Sequence, residues 1–311
     1  MGKIYCIGEA VYDIIFKNGK PVEGRPGGAM LNSAVSLGRL GMPVSFIGDF
    51  AEDYVGKMCC AYLEENGVNT AGVTFYPGAR SRIALAFLDD QNNAEYSFYK
   101  IVVNDPSLTL PVPAAGDIIL FGSWFGIKPE IREQLYDFLT YAREVGALLV
   151  YDPNFRKAHL DMLPRVKSFI DENVALSHIV KGSDEDFHYI LGTSDVSRIH
   201  QYADQLGCKR LIYTANRNGV WLFERERTAR YPALSIKPVS TVGAGDSFNA
   251  GLIYALKRFD MDPAGLENTR DAQWDRMIET SIRFASEVCM SFDNYISAGF
   301  AAEMNAEDFP G

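Results

Sequence analysis

Short β-rich apolar runs alternate along this chain with longer stretches in which apolar residues recur at helical spacing. The runs Lys3–Ile7, Val44–Ile47, Asp117–Phe121, Ala147–Tyr151, His178–Val180, Arg210–Thr214 and Val220–Phe223 read as core strands. Helical patterns fall between them, at Met30–Leu40, Tyr54–Glu65, Pro129–Val145, Asp195–Leu206, Asp246–Lys257 and Trp274–Met290. Gly41, Gly67, Gly146 and Gly207 each follow a helical run, where a left-handed residue closes a helix. The alternation predicts an α/β fold, a mostly parallel sheet covered by helices.

Two stretches break the rhythm. Tyr12–Phe16 and Arg82–Tyr99 are β-rich, have no helix between strands, and carry turn-like Lys17-Asn18-Gly19 and Asp89-Asp90-Gln91-Asn92-Asn93. They predict a small antiparallel sheet inserted from about 10–26 and 76–104 into one domain spanning 1–311. Such a sheet would be a lid over a ligand, a surface hairpin, or, through an apolar face including Leu85 and Phe87, a homodimer contact.

Composition narrows the function classes. A chain of 311 residues with 47% hydrophobic residues has material for a large core, and no apolar run is long enough to span a membrane. The net charge of -10 argues against gaining affinity by neutralising nucleic-acid phosphates, so an anionic ligand has to be held locally. Five cysteines (Cys6, Cys59, Cys60, Cys208 and Cys289) show no CxxC pair, which disfavours a disulfide framework or zinc site. The opening MGKIYCIGEA lacks signal-peptide character, and a reducing cytoplasm is the expected compartment.

Three segments carry candidate chemistry. In Thr241-Val242-Gly243-Ala244-Gly245-Asp246-Ser247, small residues leave backbone N–H groups open at a helix N-terminus, a cradle for an anion. Asp246, in the first turn, is positioned either to accept a hydroxyl proton as general base or to cap the helix. In Arg25-Pro26-Gly27-Gly28-Ala29-Met30-Leu31-Asn32, paired glycines permit close backbone approach to a polar ligand, and Asn32 offers hydroxyls both acceptor and donors. In Tyr151-Asp152-Pro153-Asn154-Phe155-Arg156, at a strand's C-terminal end, Arg156 has the fork that pairs with phosphate oxygens. The histidines His159, His178, His188 and His200 show no metal-ligand spacing.

In this order the segments resemble the ribokinase-like carbohydrate kinases, the phosphofructokinase B family, over essentially the whole chain. The N-terminal signature resembles PGGAMLNSAVSLGRLGMPVSFIG and the C-terminal one STVGAGDSFNAGL. The resemblance implies a ribokinase-like three-layer sandwich with a mostly parallel central sheet and a small β lid. It implies ATP and magnesium as cofactors and a small sugar as partner, with neither nucleic acid nor membrane. By the same resemblance Asp13, Gly27, Gly28 and Asn32 hold sugar hydroxyls. Gly243, Ala244 and Gly245 form the anion hole, Asp246 is the base, and Arg156 is a further contact to phosphate or substrate. Lys181, Ser183 and Asp186 fall on the family's K-x-N-x-x-E segment, and Thr214, Asn216 and Gly219 on its nucleotide loop. EYSFYKIVVND, FGSWFGIKPE and YDPNFR are most similar to fructokinases, with ribose, 2-keto-3-deoxygluconate and nucleoside kinases, or a non-catalytic binder, as alternatives. Ser240, Ser183, Asp186 and Asn216 depart from the family's Asp, Asn, Glu and Gly, which bears on nucleotide affinity and monovalent-cation binding.

Overall fold

The computed structural model describes residues 2–88, 94–99, 103 and 106–309. The first seven strands are β1 Ile4–Ile7, β2 Val11–Lys17, β3 Lys20–Gly27, β4 Val44–Ala51, β5 Asn69–Tyr76, β6 Ile83–Leu88 and β7 Ala94–Tyr99. The rest are β8 Ile118–Gly122, β9 Leu148–Asp152, β10 Ile179–Ser183, β11 Arg210–Thr214, β12 Val220–Glu224 and β13 Arg227–Tyr231. The helices are α1 Ala29–Arg39, α2 Tyr54–Glu65, α3 Arg132–Glu144, α4 Leu163–Leu176 and α5 Asp184–Leu191. They continue with α6 Val196–Gln205, α7 Ala244–Arg258, α8 Pro263–Glu267, α9 Asp271–Val288 and α10 Ala298–Ala306.

Nine strands form the main sheet, in the order β13-β12-β11-β10-β9-β8-β1-β4-β5. All pairings are parallel from β5 through β11, and β12 and β13 close the edge as an antiparallel meander. Alternation along the central strands splits the core in two. Ile4, Cys6, Ile118 and Leu120 face one apolar cluster, covered by α1, α2 and α7–α10, whereas Tyr5, Ile7, Ile119 and Phe121 face another, covered by α3–α6. Helices on both faces of a sheet make the three layers that the alternation predicts. Within the first layer α7 and α9 lie close enough that a Cβ on Gly251 would stand 2.8 Å from Ser281 Cα.

The smaller sheet has the order β3-β2-β6-β7. It corrects one expectation, for β2 pairs β3 antiparallel but β6 parallel, so the sheet is mixed. The two halves come from distant parts of the chain, joined by long connections that make either direction accessible. Asn18 and Gly19 both take positive φ, 52° and 72°, as a two-residue hairpin turn requires. The expected turn at 89–93 and part of the segment after β7 lie outside the described residues.

Most other expected elements occur within a few residues of their predicted ends, and Gly41, Gly67, Gly146 and Gly207 all have left-handed φ. The expectation for Pro129–Val145 is met by a short 3-10 turn followed by α3. Unanticipated are β5, β13, α4, α5, α8 and α10. His178 is structural: its Nδ1 accepts the Leu149 amide at 3.0 Å, and burial lowers its pKa to about 4. No helix among the described residues is long and apolar enough to cross a membrane.

Candidate active site

Chain order reverses around β1, which lies between β4 and β8, and open parallel sheets bind ligands beyond their strand ends at such a point. Two helices begin there. The N-terminus of α1 follows Gly28, whose φ is 118° and where a Cβ would stand 2.4 Å from the Glu9 carbonyl. The N-terminus of α7 follows Gly243, at φ 80°, where a Cβ would stand 2.4 Å from the Asn294 carbonyl. Neither position admits a side chain, so both loops are held tightly against neighbouring backbone.

Asn32, in the first turn of α1, donates from Nδ2 to Asp246 Oδ2 at 2.8 Å, and Ser33 Oγ donates to the Asp246 carbonyl at 2.8 Å. The helix start at Gly243 has no side-chain cap bond. The carboxylate of Asp246 is therefore held by Asn32 and does not act as the N-cap. Asn32 Oδ1 is buried without a hydrogen-bond partner, an acceptor placed for a donor the chain does not supply. Loss of hydration raises the Asp246 pKa; the Asn32 hydrogen bond and the charges of Arg156 and Lys181 oppose the shift, and Asp152 adds to it. A carboxylate with a raised pKa holds a proton more readily, as a general base must.

Beside the first turn of α7, Lys181 Nζ donates to Asp152 Oδ2 at 2.9 Å, and Asn249 Nδ2 donates to the same oxygen at 2.6 Å. Asp152 also anchors its own turn, accepting the Asn154 amide at 3.2 Å. Asp186 is fully engaged: Oδ1 accepts the Phe155 amide at 2.7 Å, and Oδ2 accepts both the amide and hydroxyl of Ser183, each at 2.7 Å. Ser183 and Asp186 thus form the capping box of α5 and tie it to the turn after β9. Burial first, and Asp152 second, push the Asp186 carboxyl up to about 6.

The smaller sheet supplies the other wall. Asp13 and Arg25 stand opposite one another on β2 and β3, and a Cβ on Gly27 would lie 2.3 Å from Asp13 Oδ2 and 3.8 Å from Asn294 Nδ2. Asp13 retains some exposed surface, yet loss of hydration drives its carboxyl up to about 7, with Arg25 pulling the other way. Arg25 Nη1 donates to the Phe292 carbonyl, joining this sheet to the segment that packs on Gly243.

Some candidates stand apart. Arg156 is exposed, with its guanidinium 3.9 Å from Glu185 Oε2, though close enough to Asp246 to act on its proton. Thr214 ends β11 and leads into a turn closed by the Ala215 amide on the Gly219 carbonyl at 2.9 Å. Asn216 takes φ 47° there, and asparagine is among the few non-glycine residues that accept this region readily, so the departure keeps the loop's shape. Ser240 Oγ accepts the Val242 amide at 3.2 Å, and its own amide reaches the Cys289 carbonyl. Asp152, Asn249 and Asn294 belong to the site without having been singled out. Asp152 and Asn249 lie within the quoted YDPNFR and SFNAGL segments, where a polar residue at a strand end or on a buried helix face was the available signal. No group of three or more His, Cys, Asp or Glu suited to a metal occurs among the described residues.

A family model described as pfkB family carbohydrate kinase matches residues 1–291. Fructokinase-1 of Oryza sativa subsp. japonica is 29% identical over 267 residues, covering 84% of this chain and 80% of its own. Fructokinase of Vibrio alginolyticus is 24% identical over 264 residues, covering 83% and 85%. Among solved structures, aminoimidazole riboside kinase from Salmonella enterica, complexed with aminoimidazole riboside and an ATP analogue, superposes with a TM-score of 0.82 at 23% identity, covering 98% of this chain and 99% of that one. Fructokinase from Vibrio cholerae O395, with fructose, ADP and calcium bound, gives 0.79 at 21% identity over 97% and 98%.

Proposed function

This chain belongs to the pfkB family of carbohydrate kinases, and from that premise we propose that it moves the γ-phosphoryl group of ATP to a hydroxymethyl oxygen of fructose, with Asp246 as general base. ATP-dependent sugar kinase activity follows from membership; the sugar and the base are our reading. The carrying observation is the Asn32–Asp246 hydrogen bond together with the unpartnered Asn32 Oδ1 beside it at the start of α7. One group fixes the carboxylate, and the same side chain keeps an acceptor for a sugar hydroxyl. The fructokinase relatives favour fructose over ribose, 2-keto-3-deoxygluconate or a nucleoside.

In this reading Asp13 and Asn32 hold sugar hydroxyls, and the backbone around Gly27 and Gly28 shapes the wall they project from. Asp246 Oδ takes the proton of the attacking hydroxyl as the new P–O bond forms and the bond to ADP breaks. The amides of Gly243, Ala244 and Gly245, aligned with the positive end of α7, meet the charge on the transferring oxygens. Arg156 meets phosphate oxygens from the open side, and the Lys181–Asp186 segment and the Thr214–Gly219 loop receive the nucleotide. Magnesium would supply positive charge against the phosphate oxygens. Asp152 and Asp186 are committed to bonds within the chain, so the donor set suits an ion carried in by the nucleotide and completed by water.

The smaller sheet acts as a lid on the single domain. Its exposed Val22, Phe87, Phe98 and Tyr99 favour a homodimer contact there, and the free thiols suit a reducing cytoplasm. The test of the reading is ADP release with magnesium across a panel of fructose, ribose, 2-keto-3-deoxygluconate and a nucleoside. Asp246→Asn is expected to lower kcat on the accepted sugar by roughly 10² to 10⁴-fold with sugar binding largely kept. A folded variant that retained most activity would remove Asp246 from the chemistry.

A further inference from the structure

Beneath the anion hole lies a buried charge pair. Lys181 Nζ donates to Asp152 Oδ2 at 2.9 Å, and Asn249 Nδ2, one turn further into α7 than Asp246, clamps the same oxygen at 2.6 Å. The three residues are 3%, 1% and 0% exposed. The ammonium also lies 3.1 Å from the place a Cβ would take on Gly245, so the missing side chain at 245 leaves room for it. Among the described residues Lys181 makes one hydrogen bond with its three protons.

This arrangement is poor for stability alone. The N-terminus of a helix carries partial positive charge, and an ammonium against it is a like-charge contact that an anion would relieve. A buried ion pair is also seldom more stabilising than apolar residues of the same size. The charged groups facing Lys181 are Asp152 from β9, Asp186 from α5 and Asp246 from α7. Burial would take the proton off the lysine, and these acids together keep it on, holding its pKa above the ordinary lysine value.

We infer that Asp152 is a positioning residue for phosphoryl transfer: clamped by Asn249, it holds the Lys181 ammonium under Gly245, where that charge meets the transferring phosphoryl group. The inference rests on reading the Gly243–Gly245 turn as the anion hole. Lys181 makes and breaks no covalent bond; it supplies fixed positive charge where negative charge gathers.

Asp152→Asn keeps the size and one oxygen and removes the charge. It is expected to lower kcat by about 10²-fold, the scale for losing one oriented electrostatic group, while KM for the sugar moves by no more than about threefold. By calorimetry, affinity for ADP with aluminium fluoride, a copy of the transferring group, is expected to fall by about 10²-fold while affinity for ADP alone holds. That contrast is read on the nucleotide side without a sugar, so it stands even if fructose is not the acceptor; failure of the fructose reading appears instead in the unmutated enzyme's sugar panel. Should Asp152→Asn fail to fold, Asn249→Ala removes the clamp alone and is expected to show the same contrast at about tenfold. An equal loss of affinity for ADP with and without fluoride, or an unchanged kcat with a lowered melting temperature, in whichever variant folds, would overturn the inference and leave the pair structural.

Discussion

Two aspartates in the site have raised pKa values from the same cause, loss of hydration, with opposite consequences. In the proposed mechanism, the shift at Asp246 keeps the base avid for a proton next to the hydroxyl it deprotonates. At Asp13 it puts ionisation at about 7, inside the working range, so sugar binding through this carboxylate, as proposed, would be pH-dependent. An ionised carboxylate is the stronger acceptor for hydroxyls. KM for the sugar is therefore expected to fall as pH rises through 7 and to climb, at most roughly tenfold per unit, well below it. For the unliganded fold the sign reverses: stability from keeping Asp13 protonated is complete below the ordinary aspartate pKa and is lost as pH rises through about 7. KM measured from mildly acidic to mildly alkaline pH checks this, with Asp13→Asn expected to give a flat profile. A flat profile in the unmutated enzyme would remove Asp13 from the sugar contact.

At the scale of elements, legibility followed local pattern. The helices α1 and α7 announce themselves by small residues before an apolar run, and the residues that those motifs place, Asn32 and Asp246, do meet. What escaped was decided by contacts between segments. The strand β13, RTARY, alternates, but its polar residues and edge position give it little apolar character. The helix α5 has only eight residues and starts on a Ser–Asp capping box that resembles a turn. The Asp152–Asn249 bond joins positions 97 apart, a separation no periodicity reveals. The mixed pairing of the smaller sheet is of the same kind, since β2 and β6 meet only after α1, α2 and three strands have been laid down. If this sheet closes over sugar, amides of Val11–Lys17 and Ile83–Leu88 are expected to gain hydrogen-exchange protection on adding sugar. Protection that followed protein concentration instead would assign the sheet to the dimer contact, and no change in either titration would refute both roles.

At the scale of the whole molecule, the Asn32–Asp246 bond has a kinetic meaning. Its partners are 214 residues apart, and the one on α7 comes late in the chain. Loops of that length close slowly, and contacts of high sequence separation form late in folding. The central strands and α1 can collapse before Asp246, the proposed base, is in place, so burial of aromatic residues and recovery of turnover become separable in time. Refolding from denaturant is expected to restore tryptophan fluorescence at Trp124 and Trp221 before it restores ADP release, and a nascent chain ending before Gly243 lacks the turn proposed as the anion hole whatever else has folded. Coincident recovery of both signals would mean that the long loop closes with the core. With Asp246 as the proposed base, full turnover waits on that bond, and the catalyst is switched on by the completion of its own fold.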